Sequence, residues 1–100
     1  KNWTEEDTRG YARALPMLKQ IVDKYKSIIQ YESDESNPAI CDDKGVRFNG
    51  IGAEGHETFH FQVEKNSNDF CKTARKPYDL PVCEILLVLK AHLPGLTLGS

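Results

Sequence analysis

The sequence predicts a small α+β domain in two layers: a helix, a mainly antiparallel sheet of three or four strands, and a second helix. Three observations lead there. A run with helical apolar spacing fills the first quarter of the chain. Apolar and polar residues alternate at 46–49 and again at 59–64. A broad apolar stripe follows a strong helix-start signal at 79–93. One hundred residues suffice for one modest core, so residues 1–100 are read as a single domain. The chain opens on Lys1 rather than Met and ends on Gly99-Ser100, which reads as truncation at the N-terminus and leaves the C-terminus open to it as well.

Thr4 is a capping residue, and Glu5, Glu6 and Asp7 place acids in a first helical turn. Tyr11, Ala14, Leu15, Leu18, Ile21, Val22 and Tyr25 then recur on one helical face. Pro16 lacks an amide proton and crowds the carbonyl four residues back, so a kink or a split into two helices is expected there, with the end near Lys26. Residues 27–32 read as a strand through Ile28, Ile29 and Tyr31, and 33–43 as a solvated loop. Val46 and Phe48 alternate with Arg47 and Asn49, marking a half-buried strand. Gly50, Gly52 and Gly55 mark a turn. Phe59, Phe61 and Val63 alternate with His60, Gln62 and Glu64 in the next strand, 65–69 is a turn, and 70–73 a short further strand. Asp79 reads as the cap of the second helix, with Pro81 in its first turn and Pro94 as its stop. The added Leu87 and Val88 widen its apolar face, so it should be largely covered, with Cys83 in the core. Residues 96–98 could add an edge strand.

Charge and composition narrow the function classes. No apolar run approaches the roughly 20 residues that span a bilayer, and no secretory signal is visible, so no membrane partner is expected. Three cysteines, Cys41, Cys71 and Cys83, without paired spacing make a poor disulfide framework and point to a reducing compartment, the cytoplasm. Residues 32–69 hold nine acidic side chains against three basic ones. That acidic middle disfavours nucleic acid as a general partner. No cofactor motif is legible.

Four segments could carry chemistry. His56-Glu57-Thr58-Phe59-His60 matches the letters of the zinc-peptidase signature, in which two His on one helical face hold the metal and the Glu activates water. Here the flanking glycines and the alternation predict a strand. That would hold His56 and His60 about 13 Å apart, with Glu57 on the other face. Glu84 is the third ligand such a site would call on. A zinc-dependent hydrolase using His56, Glu57 and His60 is therefore the alternative reading. The stretch 71–79 sets Lys72, Thr73, Arg75 and Lys76 just before a helix N-terminus, where free amides and the dipole attract anions; Tyr78 could stack on a ring. The acidic run Glu32, Asp34, Glu35, Asp42 and Asp43 lacks calcium-loop spacing and reads as a solvated loop. Cys71, beside Lys72, is the one candidate for thiol chemistry, without an assignable His partner.

The stretches 48–59 (FNGIGAEGHETF) and 70–79 (FCKTARKPYD) resemble segments of small uncharacterised proteins of bacteria and their phages. The resemblance covers roughly a fifth of the chain, carries no activity with it, and implies that the Gly-rich turn and the basic loop act together. Lys72, Arg75, Lys76, Tyr78, His56 and Glu57 would then line one surface. The order of elements also resembles double-stranded RNA binding domains, whose second helix starts with lysines that reach phosphates; Lys72, Arg75 and Lys76 stand at that place. The leading expectation is a non-catalytic module that binds a protein partner or an anionic group. Its partner's identity and its oligomeric state are not legible in the sequence.

Overall fold

The computed structural model describes residues 5–32, 37–63, 67–68 and 73–93. Two helices cover one face of an antiparallel sheet, as the α+β reading expected. The order is α1 (Glu5–Lys24), β1 (Ile29–Gln30), β2 (Ile40–Asp42), β3 (Gly45–Gly50), a short 3-10 turn (Gly52–Glu54), β4 (Phe59–Gln62), β5 (Ser67–Asn68) and α2 (Asp79–His92).

α1 runs as a single helix through Pro16, so of the kink or split expected there the split does not occur. Ala12 and Pro16 are solvent-exposed while Ala14 and Leu18 are buried, so water can donate to the Ala12 carbonyl that the proline leaves without a partner. Acids in the first turn and Lys24 in the last suit the helix dipole at both ends.

β3 organises the sheet. One edge pairs with β4, through Val46↔Phe61 and Phe48↔Phe59. The other edge takes β1 at Asn49 and Gly50 and β2 at 45–47, end to end. Between them Tyr31 N–H donates to Asn37 O at 2.7 Å. β2 corrects the expectation of an uninterrupted loop at 33–43. Ile40 and Cys41 are too few to make a pattern, but β3 offers them an unpaired edge. A two-residue turn joins β2 to β3, and Asp42 Oδ1 accepts from the amides of Lys44 and Gly45 at 2.9 and 3.2 Å. Residues 67–68, read as part of a turn, pair with β4 instead. Of the strand expected at 70–73 only Thr73 is described, and it belongs to no strand; the one expected at 96–98 lies outside the described residues.

Strand alternation then sets the two faces. Val46, Phe48, Phe59 and Phe61 point toward the helices and are fully buried with Tyr11, Leu18, Ile85 and Leu89. Tyr11 stacks on Phe61 at 5.9 Å and donates its hydroxyl to Asp42 O at 2.6 Å, fixing α1 to the β2–β3 turn. The helices run antiparallel. Gly10 meets the backbone at His92, and Lys24 and Tyr25 meet Glu84. The opposite sheet face carries Arg47, His60 and Gln62 and is half-buried, with no helix over it among the described residues.

Candidate functional site

The sheet positions two loops at one end, where β3 finishes and β4 begins. The first, 51–58, is the Gly-rich turn. It is held from below by Asn49, whose side chain is nearly fully buried. Its carbonyl accepts from the amides of Gly50 and His56 at 2.7 and 3.0 Å. Its amide donates to His56 O and Thr58 Oγ1 at 3.0 and 3.2 Å. All four capacities of the buried amide are used, so the turn has one conformation fastened to the strand.

The second loop, 73–79, leads into α2. Thr73 Oγ1 donates to Asp79 Oδ1 at 2.7 Å, and the amides of Lys76 and Asp79 close successive turns on Thr73 O and Lys76 O, both at 2.9 Å. Ala74 and Arg75 sit at φ 53° and 57°, in the left-handed region. Neither is glycine, and each pays about 1–2 kcal/mol for that conformation. Asp79 is thus not the helix cap expected of it. Tyr78 holds the cap position, and the Asp79 carboxylate is spent on tying the loop.

Tyr78 joins the two loops. Its ring is fully buried, against the expectation of a free stacking surface, and its hydroxyl donates to Glu57 O at 2.6 Å. The ring lies so close to Gly50 that a Cβ there would stand 3.0 Å from it and 2.2 Å from Glu54 O. Only glycine admits both the ring and the returning turn. The Gly-rich turn and the basic loop are therefore neighbours. His56, Glu57 and Arg75 are exposed beside this joint, and Lys76 is half-buried. Lys72 and Cys71 lie outside the described residues, as do Asp34 and Glu35.

The histidines fall in different settings. His60 is on β4 opposite Arg47, on the outer sheet face, whereas His56 belongs to the turn ahead of the strand. The stretch from Phe59 is extended, not helical. Glu84 lies in the helix layer, bonded to Tyr25 and to Lys24 Nζ at 3.3 Å. The Tyr25 hydroxyl holds its carboxyl below the usual range, with Lys24 adding to the effect. Among the described residues no three His, Cys, Asp or Glu side chains gather as a metal-ligand set. Nor do the described thiols suit nucleophilic work. Burial pushes Cys41 up to about 11, and burial with the neighbouring Asp79 raises Cys83. Cys83 is exposed, not in the core as expected.

The outer face holds a group that sequence patterning did not single out. Arg47 bonds Glu32 at 2.5 Å and lies over the Tyr31 ring at 4.4 Å; Thr58 Oγ1 donates to the same Glu32 oxygen at 3.0 Å. Arg47 holds the Glu32 carboxyl below its ordinary range. Of these residues Tyr31 and Arg47, together with Ile40, Lys44, His60 and Gln62, border a shallow groove of about 320 Å³. By sequence Glu32 belongs with the acidic loop, and its link to Arg47 crosses 15 residues that no local pattern spans.

No known protein family, curated protein or solved structure gave a significant match to this chain. Among the described residues no helix is long and apolar enough to cross a membrane.

Proposed function

We propose that this domain is a non-catalytic interaction module of the cytoplasm that holds an acidic segment of a protein partner against the joined 51–58 and 73–79 loops. Arg75 and Lys76 are the cations of that surface, with His56 at its border. The observation that carries the reading is their placement. They sit within a turn of the α2 N-terminus, where the helix dipole favours anions, so they add nothing to helix stability. Arg75 is moreover presented from a left-handed residue, and strain of this kind is typically kept where a side chain has to be displayed. Tyr78 and Asn49 hold both loops rigid, which lowers the ordering entropy lost on binding.

Arg75→Glu with Lys76→Glu tests it. The double variant should lose partner capture from extracts of the source cells. Its thermal stability should stay equal or rise slightly, by about 0.3–1 kcal/mol, because acids replace cations at the helix start. Unchanged capture would reject the basic loop as the binding surface.

A further inference from the structure

The outward side of the helix layer carries exposed apolar side chains with no other element over them among the described residues. Leu87 is 71% exposed, Leu80 59% and Met17 45%. Leu80 and Leu87 are two turns apart on one face of α2, about 10 Å along its axis. Met17 and Leu87 flank a groove of about 420 Å³ between α1 and α2, also lined by Ile21 and Val88. Because the helices run antiparallel, Lys24 and Glu84 meet at one end of that groove, 3.3 Å apart.

We propose that this face joins two copies of the chain about a two-fold axis beside Glu84. The axis falls midway between Leu80 and Leu87 and so exchanges them. Leu80 of each copy enters the other's groove between Met17 and Leu87. The same axis lays Lys24 of each copy against Glu84 of the other. A groove whose end offers one cation and one anion side by side is matched in charge by its own two-fold image. Exposed leucines at this spacing on a helix that is apolar nearly all round are what an isologous helix-pair interface presents. The interface is separate from the Arg75 and Lys76 surface, and its test reads mass instead of partner capture.

Sedimentation equilibrium of the full chain tests it. The wild-type protein should reach the mass of two chains. Leu87→Glu should return it to one chain with its circular dichroism unchanged, since Leu87 is exposed in the monomer. Lys24→Glu alone and Glu84→Lys alone each place two like-charge contacts in the dimer and should weaken association by about tenfold or more. An equal mixture of those two single variants should dimerise again. Only the mixed pair brings opposite charges together across the axis, while the pair inside each chain stays repulsive. A wild-type chain that remains monomeric up to its solubility limit overturns the proposal, as do single variants that still dimerise or a mixture that fails to.

Discussion

Asn49→Ala is expected to lower the unfolding free energy by about 3 kcal/mol and to release the 51–58 turn, because it leaves buried groups unpaired. The side chain is 2% exposed and makes four hydrogen bonds, three of them to His56 and Thr58 across the turn. Truncation strands the amide of His56, its carbonyl and the Gly50 amide together, and each buried unpaired group costs roughly 1–3 kcal/mol unless water reaches it. Water will reach some of them, so the loss stays below the full sum. Denaturant titration gives the free energy, and amide hydrogen exchange shows where the structure opens. Faster exchange confined to 51–58, with the stability loss, is the expected pattern. A loss under about 1 kcal/mol would mean that the turn stands without this residue.

Gly10→Ala should destabilise the fold by about 2 kcal/mol, roughly 10 °C in Tm, although alanine is the better helix former. Intrinsic propensity alone would favour the alanine by nearly 1 kcal/mol. A Cβ at Gly10, however, would stand 2.0 Å from His92 O and 3.3 Å from Leu93 Cδ2. The first is backbone and has no rotamer to escape into, so α1 and α2 must move apart along their contact. The sign of the measured change decides between propensity and packing. A stabilised variant would show that the helices do not approach so closely.

Much of the layered fold was legible because its signals are periodic. Val46, Phe48, Phe59 and Phe61 alternate as read and all face the helices. Of the stripe Val82, Ile85, Leu86, Leu89 and Leu93, all are buried except Leu86, which is half-buried. What escaped was set by tertiary partners. β2 has three residues and no pattern of its own, and exists because β3 has a free edge. The breadth of α2 suggested a covered helix, yet Leu80, Cys83 and Leu87 face outward; a helix apolar on every side does not reveal which side is inside.

At the site, the two loops were expected together only because both stretches carry the resemblance, and the roles inside the joint were not legible. Tyr78 looks like a surface aromatic because Lys76 and Pro77 precede it, and is instead the buried link between the loops. Asn49 looks like an outward polar residue in an alternating strand. The turn that folds back over it removes it from water, and only the Asn49-Gly50 pair hinted at a tight reversal there.

The most direct test of the joined surface is the nuclear Overhauser effect between the Tyr78 ring protons and the Gly50 α-protons in the free protein. A ring carbon 3.0 Å from where a Gly50 Cβ would stand predicts a strong cross-peak. If both residues are assigned and no cross-peak is seen between them, the two loops are not fastened together, and the binding surface built on them fails.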